Sequence, residues 1–271
     1  MLMSASDVGT IFDAGAREFA LWSARLWDPI GLATVRESAP VSGERVLDAC
    51  CGSGASALPA ARAVAPNGGV VGVDLSTALL EQGRARARDA GVDNLRFEAA
   101  DVCEWPEPES FDLVQVVHGV AFFGDMDAGA SALIRALRPG GRLAVTVWAD
   151  GALGSFLTAL SDAVAIETGE PKPIPGYSQA RERIADANLL RAWLERLGLE
   201  RVRVRRFEHT IPIDPVTAWE FVLGNAARGL VEKLDGSTRD RVRERLGTLM
   251  RERGLDRLDA SSHIAVGEVP R

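Results

Sequence analysis

Val46-Leu47-Asp48-Ala49-Cys50-Cys51-Gly52-Ser53-Gly54 decides how the rest of this chain is read. Arg45 to Ala49 has the short apolar character of a buried strand. Two glycines follow where the backbone must turn sharply or approach a ligand closely. A helix is predicted from Ser56 to Val64. Working outward, the same alternation recurs. Strands are predicted at Val70–Val73, Leu95–Ala99, Phe111–Val117 and Leu143–Trp148. Helices are predicted at Leu79–Asp89 and Ala128–Leu137, with turns at Pro66-Asn67-Gly68-Gly69 and Pro139-Gly140-Gly141. Strands that are apolar almost throughout, separated by helices, require a parallel sheet covered on both faces. Right-handed crossovers make it doubly wound.

Beyond Trp148 the rhythm changes. Helices are predicted at Leu153–Thr168, Asn188–Leu197, Val216–Leu234 and Arg239–Arg253, and strands at Arg201–Ile211 and Ser262–Val269. The fold expected is α/β: a doubly wound, mostly parallel, seven-stranded, Rossmann-like sheet with helical cap inserts over its carboxyl edge. Three stretches are expected: a helical segment over 1–40 that closes the ligand site, a ligand-binding core over 41–150, and the rest of the same domain over 151–271. Alternating Arg201-Val202-Arg203-Val204-Arg205-Arg206 reads as a half-exposed strand. Arg239–Arg253 reads as an exposed helix laced with ion pairs.

The chain has 271 residues, 46% of them apolar, and a net charge of −7. That charge disfavours a nucleic-acid backbone or an anionic membrane face as partner. No apolar run reaches the length of a membrane span, and the start lacks the layout of a secretion signal, so a cytoplasmic setting is expected. The three cysteines, Cys50, Cys51 and Cys103, imply no disulfide framework, and Cys-Cys-Gly lacks zinc-site spacing, so no metal is expected.

Three acids end three successive strands: Asp48, Asp74 and Asp101. Asp74 lies 20 residues after Gly54, where a carboxylate accepts ribose hydroxyls in nucleotide-binding folds. Gly52-x-Gly54-x-x-Ala57 is also compatible with a dinucleotide fingerprint. Asp48, just ahead of the loop, opposes a pyrophosphate and suits a cationic amino group. Asp101 can accept a hydrogen bond from an adenine amino group. The acids therefore favour S-adenosylmethionine over a nicotinamide dinucleotide, with an oxidoreductase left as the alternative.

VLDACCGSG, VGVDLS, AADVCEWP, FDLVQVVHGVAFFGDM and LRPGGRLAVTVW, in that order, resemble the successive motifs of class I methyltransferases. The resemblance is to the ubiquinone/menaquinone-biosynthesis-type branch, which includes small-molecule enzymes of secondary metabolism. It covers about residues 40 to 150, and it implies an antiparallel last strand. It implies that Asp48, Gly52 and Gly54 line the methionine and ribose part, that Asp74 takes the ribose hydroxyls with Leu75 on the adenine, and that Asp101 and Val102 meet the adenine edge. It places His118 near the reacting sulfonium. Cys50 stands where many relatives have glycine, so its contact would be through backbone.

The implied activity is methyl transfer to O, N or C of a small molecule, a secondary metabolite or alternatively a quinone precursor. A non-catalytic binder of the same donor is the third class. His118 is the candidate base among His118, His209 and His263, with the last two structural. Phe122, Phe123, Trp148 and Tyr177, the one tyrosine, are candidates for the acceptor site. Phe12 and Trp22 are candidates to close over the donor. A monomer or homodimer with a small-molecule partner is expected.

Overall fold

The computed structural model describes residues 5–104, 110–170, 182–184 and 186–271. The predicted Tyr177 and the proline-rich stretch from Pro171 lie outside the described residues. Three helices open the chain: α1 (Ala5–Ala14), α2 (Ala16–Trp22) and α3 (Asp28–Ser38), the last two joined through a π-helical turn, Ser23–Trp27. The core follows as β1 (Arg45–Ala49), α4 (Ala57–Val64), β2 (Gly69–Asp74), α5 (Thr77–Asp89), β3 (Leu95–Ala99), β4 (Phe111–Val117), α6 (Met126–Arg135) and β5 (Leu137–Trp148). The remainder comprises α7 (Gly154–Thr168), α8 (Ala187–Arg196), β6 (Glu200–Phe207), β7 (Thr210–Pro212), α9 (Pro215–Leu223), α10 (Gly236–Glu252), β8 (Arg257–Asp259) and β9 (Ser262–Glu268).

Seven strands form one sheet in the order β3-β2-β1-β4-β5-β9-β6. The first five run parallel, and β9 runs antiparallel to both β5 and β6. The parallel strands are buried because their side chains are apolar on both faces. Val46, Leu47, Val73, Val114 and Val145 are fully or almost fully enclosed. One face packs on α3, α4 and α5 through Val35, Ala60 and Leu80. The other packs on α6 and α8 through Leu133, Leu190 and Trp193. The strand order reverses at β1, between β2 and β4, so the ligand crevice is expected at the carboxyl ends there.

A third cluster joins Trp22, Leu26 and Ile30 of the amino-terminal helices to α7, α9 and α10. Fully burying a leucine or isoleucine contributes about 1.5–3 kcal/mol. This apolar cluster holds the late helices against the first ones.

Several predicted boundaries shift. The stretch Arg201–Ile211 is two strands, not one. Its partner chain turns at Ala260-Ser261, and the Ala260 N–H donates to His209 O at 2.7 Å, so the strand breaks opposite that turn. β7 then pairs with β8 in a separate two-stranded sheet. Predicted helix Val216–Leu234 ends at Leu223. Asn225 caps a 3-10 turn, Ala226–Leu230, by accepting from the Ala227 N–H at 2.7 Å. A Cβ at Gly224 would come within 2.7 Å of the Phe19 nitrogen, so the break lets α2 approach. The Pro139-Gly140-Gly141 turn lies within β5, whose register against β4 shifts between Phe111 and Leu113. The arginines of α10 pair across to α7, Arg241 and Arg245 with Glu167 and Arg253 with Asp162. β6 is more exposed than half, as a sheet-edge strand.

α3 touches the loop after β1 through Gly31. A Cβ there would lie 2.4 Å from Ala55 O and 2.5 Å from its carbon, both backbone atoms with little freedom to move. Gly31→Ala is expected to lower the unfolding free energy by about 1–3 kcal/mol or more, read as a lower urea midpoint at unchanged m-value.

Candidate functional site

At the carboxyl ends of the parallel strands a cavity of about 330 Å³ opens. The loop after β1 enters it through Cys50, Cys51 and Gly52. Gly52 has φ +51° and Gly54 φ +84°, values that L side chains rarely adopt. Cys50 shares the left-handed region at φ 56°, and His118, at the end of the neighbouring β4, does so at φ 55°. Non-glycine residues in this region cost about 1–2 kcal/mol, a strain commonly found at functional sites. The Cys50 side chain fills the space above Gly119, where a Cβ would meet its Cβ and Sγ at 2.7 Å.

Asp74, at the tip of β2, anchors the loop. Its Oδ2 accepts from the Gly52 N–H at 2.8 Å and its Oδ1 from the Ser76 N–H at 2.8 Å. Burial raises its pKa above the ordinary carboxylate value, against the pull of backbone N–H groups of Ser76, Gly52 and Leu75. Asp101 accepts from the Cys103 N–H at 2.9 Å. Leu75, Asp101 and Val102 join Asp74 on the wall formed by β2 and β3. Burial pushes the Cys50 and Cys51 thiols well up, and burial with Asp101 beside it pushes Cys103 to about 12, so all three stay protonated at neutral pH.

Asp48 takes a different position. It is fully buried and does not line the cavity, and neither does Gly54, whose Cβ would meet Phe97 at 3.1 Å. The Asp48 Oδ2 accepts from Ser56 Oγ at 2.7 Å and from Gln115 Nε2 at 2.9 Å, while Oδ1 has no partner. Burial pushes it up to about 7, with Asp74 adding to the rise.

The opposite end of the cavity is aromatic. His118 stacks on Trp148 with ring centroids 3.8 Å apart. Leu153, Leu157 and Phe221 also line the cavity, as do Phe122, which meets Phe12 of α1, and Phe123, which packs beside Cys103 and Gly129. Strands spaced about 4.8 Å apart put the end of β5 four spacings, roughly 19 Å, from the end of β3. His118 Nε2 lies 3.4 Å from Ser262 Oγ, and Nδ1 is buried without a partner. Burial lowers its pKa to about 3, so the ring is neutral.

Phe12 and Phe19 roof the cavity from α1 and α2. Phe19 stacks on Trp27 at 4.9 Å, and Phe12 meets Phe122 edge-on at 5.8 Å. Trp22 does not take part: it is buried against Phe221, with Arg25 over its ring at 4.0 Å. Phe12 and Phe19 lie on separate helices, α1 and α2, and Trp22 follows Phe19 by three residues, so helical spacing did not set the roof residues apart from Trp22. Trp27 and Phe221 had no sequence signal either, since they lie at the π-helical turn and just ahead of the break at Gly224.

Residues 46–141 match the family model described as Methyltransferase domain. Aklanonic acid methyltransferase DauC from Streptomyces sp. (strain C5) is 35% identical over 142 residues, covering 52% of this chain and 64% of its own. Demethylmenaquinone methyltransferase from Clavibacter sepedonicus is 36% identical over 141 residues, covering 51% and 54%. Over residues 46–141 the chain is similar to methyltransferase domains. It spans between half and two thirds of the length of these curated relatives. Among solved structures, the cyclase SpnF aligns over 100% of this chain and 97% of its own, with TM-score 0.64 at 17% identity. Phosphoethanolamine N-methyltransferase 2 from Haemonchus contortus, in complex with S-adenosylhomocysteine, aligns over 89% and 52%, with TM-score 0.54 at 20% identity. Likeness at that identity establishes the fold alone, and one of the two folds is named for a cyclase.

Three features near the cavity would suit S-adenosylmethionine as a ligand. Asp74 and Asp101 offer carboxylates at the nucleoside end, Leu75 and Val102 offer apolar contact, and Asp48 keeps a buried oxygen that lacks a donor. Of the residues the sequence nominated, Cys50, Gly52, Asp74, Leu75, Asp101, Val102, His118, Phe122, Phe123 and Trp148 share the one cavity.

A neutral buried His118 has a measurable consequence. Its folded value near 3 lies below the unfolded value near 6.5, so unfolding takes up a proton in that window. Stability from this group is complete above about pH 6.5 and is lost as pH falls towards 3. The His118 imidazole resonances are expected not to titrate between pH 5 and 8, and His118→Gln is expected to flatten the acid side of the stability profile.

Proposed function

We propose that this protein transfers the methyl group of S-adenosylmethionine to an O, N or C atom of a small, uncharged and largely apolar molecule. One observation carries the reading: a single cavity joins an acidic end, with Asp74 and Asp101, to an aromatic end. There the side chains from β4, β5, α7 and α9, namely Val117, His118, Trp148, Leu153, Leu157 and Phe221, bring no charge. A charged acceptor would lose its water there without a partner.

When bound, the donor supplies a methyl group on a positively charged sulfur, ready for in-line displacement. The chain's part is to hold, orient and dry the reacting groups. Asp74 and Asp101 accept the hydroxyl and amino hydrogens of the nucleoside, and Leu75 and Val102 flank its ring. His118, on β4 between the two ends, stands nearest the junction in strand order. A ring whose conjugate acid has a value near 3 is poorly matched to take a proton at neutral pH, so its role here is a neutral, orienting one. Phe122, Phe123 and Trp148 form the acceptor walls. Residues 1–40 act as the segment that closes the donor site, 41–150 as the donor-binding core, and 151–271 as the substrate side.

A secondary metabolite is the acceptor class we carry, with a quinone precursor as the alternative. The matched relatives include enzymes named for each kind of work. A nicotinamide dinucleotide is disfavoured by Asp48, whose carboxyl group stands behind the loop where a pyrophosphate would need positive charge.

Calorimetry with S-adenosylhomocysteine and NAD tests the donor reading. S-adenosylhomocysteine is expected to bind and NAD not to. Asp74→Asn is expected to weaken that binding by roughly 10- to 100-fold, the worth of a charged hydrogen bond. Binding of NAD alone would end the proposal. A panel of planar apolar acceptors, with release of S-adenosylhomocysteine as readout, tests transfer itself.

A further inference from the structure

We propose that Gln115 is a positioning residue for the donor: it steadies the Asp48 carboxyl group, whose buried proton leaves when the donor's cationic amino group arrives. The inference rests on the methyltransferase reading and adds a residue and a linkage to it. Asp48 and Gln115 are direct partners in the register of β1 against β4, so their side chains stand on the same face of the sheet. Both are fully buried. The Gln115 amide donates to Asp48 Oδ2 at 2.9 Å and the Ser56 hydroxyl donates to the same oxygen at 2.7 Å. Two acceptors remain without a donor: Asp48 Oδ1 and Gln115 Oε1.

Two buried acceptors beside an uncompensated negative charge are costly. A proton on Oδ1 removes the charge and turns one of the two acceptors into a donor. A cation in the cavity, which Ser56 lines and Asp48 does not, relieves the same cost from across the wall. The two solutions compete, and that competition is the linkage. On binding, the Asp48 O–H bond breaks, its electron pair stays on the carboxylate, and the proton passes to solvent.

The surroundings contain no resident cation to take that role. On the β2 side the register partner of Asp48 is Gly72, which has no side chain. The titratable groups acting on this region are Asp74 and the thiols of Cys50 and Cys51. Arg86 reaches the loop through Ser53 but is paired with Asp28. Burial places the Asp48 transition at about pH 7. Below that value the proton must be expelled for the donor to bind, and above it the carboxylate is already formed. Affinity should therefore fall by up to about tenfold per pH unit below 7.

The experiment is calorimetry of S-adenosylhomocysteine binding from pH 5.5 to 8.5 in buffers of different ionisation enthalpy. Wild type is expected to release close to one proton at pH 6 and close to none at pH 8. Asp48→Asn, which copies the neutral acid in shape, should bind weakly with no proton release and no pH slope. Gln115→Met removes one of the two donors that hold the carboxylate, so the release midpoint should move to higher pH by about half a unit or more. Its affinity should then converge on wild type as pH rises. A purely structural role for Gln115 would lower affinity by one factor at every pH, and that result overturns the proposal. So does proton release that persists in Asp48→Asn, which keeps the test decisive if Gln115→Met fails to fold. If S-adenosylhomocysteine binds at no pH, the methyltransferase reading itself fails and this inference falls with it.

Discussion

The Asp74 carboxylate, accepting one backbone N–H from Gly52 and another from Ser76, ties the loop after β1 to the tip of β2. Most of the site depends on that clasp. It holds a loop whose glycines and Cys50 lie in left-handed conformations, and such conformations persist only where their surroundings over-determine them. It also leaves the carboxylate at the cavity wall with further lone pairs to offer a ligand. One acid thus shapes the loop and presents its remaining acceptor positions to the cavity.

The amino-terminal helices are fastened to the same spot. Asp13 accepts from Ser76 Oγ at 2.7 Å and from the Ala78 N–H at 2.9 Å, at the start of α5. Gln82 of α5 donates to Ala16 O at 2.8 Å. Gly9 brings α1 close enough to Leu75 that a Cβ would lie 3.3 Å from it. Phe12 and Phe19 are therefore placed over the cavity by polar contacts to the element that follows Asp74. The roof and the binding loop share one anchor, and a disturbance of that anchor reaches both.

Electrostatics divide the cavity. Carboxylates collect where β2 and β3 end, and neutral aromatic rings collect where β4 and β5 end. His118 belongs to the second group because burial against Trp148 keeps it uncharged. Asp48 stands apart from both, behind the loop, with one oxygen satisfied twice and the other not at all. A charge at the centre of a sheet with one oxygen left without a donor is costly.

Much of this was legible in the residues. Strands that are apolar on both faces can be satisfied only inside a parallel sheet, and two of the three strand-end acids, Asp74 and Asp101, do face the crevice such sheets form, so the sheet and the acidic part of the cavity followed from local pattern. The late segments were not legible to the same degree. Whether Val216–Leu234 stays one helix depends on α2 pressing against Gly224, and whether Arg201–Ile211 stays one strand depends on a turn at Ala260 in a distant segment. Trp27, which stacks on the roof residue Phe19, likewise lies in a π-helical turn that no periodicity announced. The sequence alone determined the sheet, the loop and the acids, because those rest on short-range pattern and burial. Only the tertiary structure decided that Asp48 sits behind the wall paired with Gln115, and that Phe19 rather than Trp22 covers the cavity, because both depend on which surfaces meet across the fold.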